Sequence, residues 1–176
     1  MKRAFVLGLA LCVAIIGVPA MALNVGDTVS SVTIRDSGDK PAQIPALGQK
    51  VLTIYYTDAD AADNTDPLAD ALKAKKYPDA IYDGQGIANL KDSKAPNFLI
   101  RKIIKGKEEK YNTKILTDPA YLLKTAWGLA DCNNAAVVII VGKDKKVKYI
   151  NYVRKVIDAA EVAKVVAITD GLLGIK

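Results

Sequence analysis

Val51-Leu52-Thr53-Ile54-Tyr55-Tyr56-Thr57 runs into Asp58-Ala59-Asp60-Ala61-Ala62-Asp63-Asn64-Thr65 and then into Asp66-Pro67-Leu68-Ala69-Asp70-Ala71-Leu72-Lys73. The first segment is β-branched, aromatic and aliphatic, the composition of a buried strand. The second is polar, without apolar periodicity, and reads as a loop. In the third, Asp66 suits the N-cap and Pro67 the first helical position, and Leu68 and Leu72 stack on one face. Tyr77-Pro78 stops this helix. A strand that feeds a loop and then a helix is where open α/β sheets place their ligands. Here that loop carries three aspartates and no sulfur.

Downstream, Gly84 to Ala88 reads as a strand weakened by its glycines. A long helix is expected from Pro96, with Leu99, Ile100, Ile103, Ile104 and Tyr111 as a buried stripe and Arg101, Lys102, Lys105, Glu108 and Glu109 opposite. Thr113 to Thr117 reads as a short strand, Asp118-Pro119 as a second helix start, and Gly128 as a helix-ending glycine. Ala135 to Val141 is a continuous β-branched run, expected to be covered on both faces. Gly142 to Lys146 is a turn, and Val147 to Val153 is the paired return strand. Asp158-Ala159-Ala160-Glu161 has the pattern of a capping box before a last helix. Upstream, Val29 to Arg35 and Gln43-Ile44 flank the turn Asp36-Ser37-Gly38-Asp39 as a hairpin.

The first residues are of another kind. Lys2 and Arg3 precede an apolar run from Ala4 to Val18, and Pro19-Ala20-Met21-Ala22 ends it with an Ala-x-Ala pattern. That arrangement predicts an export signal over residues 1–22, cleaved near Ala22, and a periplasmic or otherwise exported single domain over residues 23–176. The apolar run is shorter than the roughly 18 to 20 residues of a membrane span, so no transmembrane span is expected after cleavage. Cleavage would remove Lys2, Arg3 and Cys12, taking two charges from the formal +6 of the 176-residue chain. Cys132 would then be the sole thiol, with no intramolecular disulfide available. The chain has no histidine. Histidine triads, histidine metal sites and histidine proton shuttles are therefore excluded.

A hairpin, strand–helix units, a closing hairpin and a final helix make a mixed sheet with helices on both faces. The order matches a thioredoxin-like three-layer α/β/α sandwich with an N-terminal β-hairpin extension. Within it, Asn89-Leu90-Lys91-Asp92, Pro96-Asn97-Phe98-Leu99-Ile100-Arg101-Lys102, Lys107-Glu108-Glu109-Lys110-Tyr111 and Lys124-Thr125-Ala126-Trp127-Gly128-Leu129-Ala130-Asp131 resemble, as a series, the YtfJ-type exported bacterial proteins. The resemblance implies a thioredoxin-like fold without a settled activity. Some members carry a transcriptional-regulator label, which an export signal argues against.

Thioredoxin-type exchange needs a low-pKa thiolate and a resolving cysteine at the strand-to-helix loop. Thr57 to Thr65 supplies neither. The superfamily's cis-proline before the later strand is also missing from Asn133-Asn134-Ala135-Ala136. The expected function is therefore a non-redox binding or accessory module for an envelope protein, as a monomer or weak dimer and without nucleic acid. Two alternatives remain open at this point. Cys132 is the candidate thiol for one-cysteine redox or sensing, with Asp131 expected to raise its pKa. Asp58, Asp60 and Asp63 are candidate ligands for weak Ca²⁺ binding, although the loop lacks the glycine and glutamate of an EF-hand; no other cofactor is expected. Asn97, Arg101, Lys102, Lys105 and Trp127 are candidate partner-binding residues on or beside the basic helix.

Overall fold

The computed structural model describes residues 22–93 and 95–175. The expected export signal, with Cys12, lies outside them except for Ala22, as do Lys94 and Lys176. One mixed sheet has the order β2-β1-β5-β4-β3-β6-β7. Its strands are β1 (Ile34–Asp36), β2 (Pro41–Ala42), β3 (Val51–Asp58), β4 (Tyr82–Asn89), β5 (Leu116–Asp118), β6 (Ala136–Val141) and β7 (Val147–Val153). Among the described residues the helices are α1 (Asp66–Ala74), α2 (Asn97–Tyr111), α3 (Leu122–Ala126) and α4 (Ala159–Leu173), with a 3₁₀ turn at Ala59–Ala61. Strand β3 runs parallel to β4 from Val51 opposite Tyr82 to Asp58 opposite Asn89, and antiparallel to β6. β4 and β5 are parallel, β6 and β7 antiparallel.

Alternation along β3 divides the core. Leu52, Ile54 and Tyr56 face a layer made of Leu23, Val29, Ile34 and Ile44 from the N-terminal segment, with Leu123 and Trp127 from around α3. Val51 and Tyr55 face the opposite layer, where Leu68 and Leu72 of α1 join Val165 of α4. Every residue of β6 is buried, as its β-branched run predicts. Each such aliphatic side chain contributes about 1.5–3 kcal/mol relative to exposure. The layer under α2 is small: Ile100 and Ile104 pack on Leu90, Ala88 and Ile115.

The structure corrects several expectations. The hairpin strands are shorter and shifted, to Ile34–Asp36 and Pro41–Ala42, because Asp36 carboxylate bonds to the N–H groups of Gly38 and Lys40 tighten the turn. Likewise β5 starts at Leu116, three residues late, since Glu108 holds the Ile115 N–H at 2.8 Å. Thr65, not Asp66, is the N-cap of α1, and Asp66 faces lysines of α2 instead. On α2, Leu99 and Ile103 are exposed, the latter at 62 %, and Tyr111 is half-buried. Ile103 borders the open space above Gly84 of β4, which offers no side chain to cover it. Asp118 starts no helix directly; α3 begins at Leu122 after Tyr121, which adopts φ 58°. At α4 only half of the capping box forms. Asp158 accepts from the Glu161 N–H at 2.8 Å, while the Glu161 carboxylate takes the Tyr149 hydroxyl.

Candidate functional site

The carboxyl ends of β3, β4 and β5 and the loop before β6 meet at one corner of the sheet. Asp58 ends β3 fully buried. Its Oδ2 accepts the backbone N–H of Asn134 at 2.7 Å, and its Oδ1 accepts that of Asp60 at 3.4 Å. Asp58 N–H in turn donates to Ala135 O at 3.1 Å. The strand-to-helix loop and the loop before β6 are thus bound together through one carboxylate. Asn134 adopts φ 51°, a conformation that asparagine tolerates better than most residues.

Asp118, also fully buried, ends β5. Its carboxylate accepts the Leu122 N–H at 2.8 Å, the Leu123 N–H at 3.0 Å and the Tyr56 hydroxyl at 3.2 Å. It therefore satisfies the free N–H groups that open α3, the role sequence assigned to an N-cap, from three residues further back. Burial, and then the Asp118 charge, push the Tyr56 hydroxyl far above its usual range. Asp92 accepts the Tyr121 hydroxyl and the Asn89 side-chain amide. The bond to Asp92 pushes Tyr121 up to about 12.

Cys132 lies inside this corner, fully buried, with Sγ donating to Ala130 O at 3.1 Å. Burial pushes the thiol up to about 11; Asp131 adds to that rise, and Lys124 opposes it. Arg154 fixes the loop by donating to Asn133 O at 2.8 Å and Asp131 O at 3.0 Å. At neutral pH this is a protonated thiol without access to solvent, the opposite of an activated nucleophile.

The three aspartates proposed for Ca²⁺ are not brought together. Asp58 is committed as above, Asp60 is exposed, and Asp63 pairs with Lys107 at 2.7 Å. Among the described residues no group of three or more acidic or cysteine side chains is placed to hold a metal ion. Lys107 also donates to Ala62 O at 3.0 Å and lies 3.6 Å from Asp66, with Lys110 at 3.8 Å from Asp66. The acidic loop and the basic helix therefore neutralise each other rather than forming two separate surfaces.

The partner-binding candidates divide in the same way. Trp127 is a core residue: it is buried, and its indole N–H donates to Ser30 O at 2.9 Å. Arg101 does not point to solvent. Its guanidinium donates to Asp36 O at 2.9 Å, Thr117 Oγ1 at 3.1 Å and Asp39 Oδ1 at 2.6 Å, clasping the β1–β2 hairpin. Asn97, Lys102 and Lys105 are exposed, beside Phe98 and Ile103. Sequence reasoning missed Tyr56, Asp92, Asp118 and Tyr121. The available signal was Asp118 at the end of an apolar strand, a position where a carboxylate is affordable only with partners.

The sequence profile of a bacterial protein family of unknown function, YtfJ_HI0045, matches residues 46–171. No curated protein matches the chain in sequence. Among solved structures, a peroxidoxin (BcpB) from Mycobacterium tuberculosis shares 16 % identity over 85 % of this chain and 98 % of its own, with a TM-score of 0.61. The exposed lipoprotein thioredoxin of Streptococcus pneumoniae shares 12 % identity over 80 % of this chain and 99 % of its own, with a TM-score of 0.57. A peroxiredoxin-like protein from Aquifex aeolicus shares 17 % over 84 % of this chain and 89 % of its own, with a TM-score of 0.55. At such identities the likeness establishes a thioredoxin-like fold and nothing of the chemistry.

Proposed function

The chain belongs to the YtfJ_HI0045 family, and from that premise we propose that it is an exported thioredoxin-like binding or accessory module that works without thiol exchange. The observation that carries this reading is the filled corner. The strand-to-helix loop, where thioredoxin-type exchange would need its cysteines, opens instead on Asp58 bonded to Asn134, and Cys132 is buried with its pKa raised. A carboxylate engaged with two backbone N–H groups holds two loops in place and transfers no electrons. Export rests on the Ala4 to Val18 apolar run and the Ala-x-Ala pattern behind it.

The surface offered to an envelope partner is the outer side of α2, where Phe98 stands exposed next to Lys102 and Lys105. An apolar anchor beside lysines suits a partner with an acidic rim. The decisive experiment compares the protein with Cys132→Ser in disulfide-reductase and peroxide-reductase assays, together with crosslinking from envelope fractions. The expected result is no turnover by either protein and the same crosslinked partners for both. Turnover that disappears with the thiol would replace this reading with one-cysteine redox chemistry.

A further inference from the structure

A cavity of about 440 Å³ lies between α1 and α2, on the face of the sheet away from the N-terminal segment. It falls within the roughly 300–1,000 Å³ range of small-molecule sites. Its origin can be read from β4. Gly84, Gly86 and Ala88 share one face of that strand and form the floor. A Cβ at Gly84 would have no atom within 4 Å, so the space above it is open, whereas at Gly86 the Ile115 side chain already lies 3.3 Å from where a Cβ would sit. Leu72 of α1 and Ile100, Ile103 and Ile104 of α2 form apolar walls. Thr53, opposite Gly84 in register, keeps a fully buried hydroxyl with no hydrogen-bond partner. From Gly84 to Ala88 the floor runs about 13 Å at ~3.3 Å per residue, so the slot is long as well as apolar.

Charges at the two ends differ. At the carboxyl end of the strands, Asp66 is engaged by Lys107 and Lys110, and Asp58 by Asn134. At the other mouth stand Lys73 and Lys76, both exposed, with no carboxylate at ion-pair distance among the described residues. Lys73 reaches across the slot to lie 5.5 Å from the centre of the Tyr111 ring. Of the carboxylates at this mouth, Asp83 accepts the Gly84 N–H, and Asp79 is exposed.

We propose that this slot binds a single-chain amphiphile, a linear acyl chain ending in a carboxylate, with the chain over Gly84 and along Ile115 and the carboxylate between Lys73 and Lys76. The open floor at Gly84 admits a narrow flexible chain, and each methylene moved there from water favours binding. The lysines select an anionic end over a neutral one. The inference gives the non-redox module a ligand and rests on that reading only in treating α2 as working surface.

The test is a calorimetric titration of the purified protein with dodecanoate below its micellar concentration and, separately, dodecanol below its solubility limit. Saturable one-to-one binding is expected, about tenfold tighter for the acid. Gly84→Val fills the slot without a clash and favours the strand, so it should abolish binding while the circular dichroism stays unchanged; Ala69→Leu fills the slot from α1 and should do the same. Lys73→Gln with Lys76→Gln should remove the preference for the acid and leave dodecanol binding as it was. Absence of saturable binding, binding that survives both filling variants, or equal affinity for acid and alcohol in the unaltered protein would each overturn the proposal. None of these outcomes touches the reactivity of Cys132, so the slot and the non-redox reading fail separately.

Discussion

The corner at the carboxyl ends of the strands and the slot between α1 and α2 share β3 and β4, yet they are built in opposite ways. At the corner, buried polar groups are numerous and nearly all are paired: Asp58 with Asn134, Asp118 with α3 and Tyr56, Asp92 with Tyr121. In the slot, the walls are apolar, the charged groups stand at the two ends, and volume is left open above Gly84. A satisfied buried network resists rearrangement, because removing one member leaves the others unpaired. An apolar cleft lacking side chains tolerates filling at little cost. The corner has the character of a joint, and the slot that of a receptacle.

The largest effect should come from the joint. Asp118→Ala strips α3 of its cap and leaves the Tyr56 hydroxyl buried without a partner, at a cost of about 3 kcal/mol or more in urea unfolding. A loss below about 1 kcal/mol would show that the corner is less rigid than its bonds imply. Next is the thiol. With Cys132 raised to about 11 from an ordinary 9.0, its alkylation at neutral pH should be roughly a hundredfold slower than that of a free cysteine. Because the folded pKa is the higher, the thiol's share of stability is intact below about pH 9 and is lost as pH rises through about 11. Cys132→Ala should therefore flatten that limb of a stability-against-pH curve.

Smaller effects lie between the two regions. Arg101→Met should cost about 2 kcal/mol by releasing Asp36 O, Thr117 and Asp39 together, and it should raise proteolysis of the β1–β2 turn first. Lys107→Met should cost about 1 kcal/mol or less, since its partner Asp63 is largely exposed, and the cost should shrink in high salt. Millimolar Ca²⁺ should leave the melting temperature unmoved, because Asp58, Asp60 and Asp63 do not converge. A rise would reopen the aspartate loop as a cation site. Thr53→Val, smallest of all, should be neutral or stabilising by up to about 1 kcal/mol in the ligand-free protein.

Periodicity exposed the scaffold well. The β3 and β6 runs, the Asp66-Pro67 helix start and the Asp158 cap all follow from local composition, and together they imply the mixed sheet. Tertiary geometry accounts for the misses. The apolar spacing on α2 predicts a wide buried stripe, but Ile103 borders the open space above a glycine on a different strand and stays in solvent, a dependence that local periodicity does not register. Arg101 looks like one more surface cation because its partners Asp36 and Thr117 are 65 and 16 residues away. The corner was half legible: missing sulfur is visible in Thr57 to Thr65, whereas the carboxylate network that took its place depends on three strand ends meeting.

Arg101 also bears on where this protein can be cut. The family profile begins at residue 46, after both strands of the hairpin, yet the side chain that clasps the hairpin belongs to the profile's own α2. A fragment trimmed to the profile would bare one flank of β5 and strand a guanidinium whose side chain is now only 15 % exposed. The hairpin is thus a structural dependency of the span that the family profile matches, and expression boundaries drawn at the edges of that match would yield a sticky, weakened product.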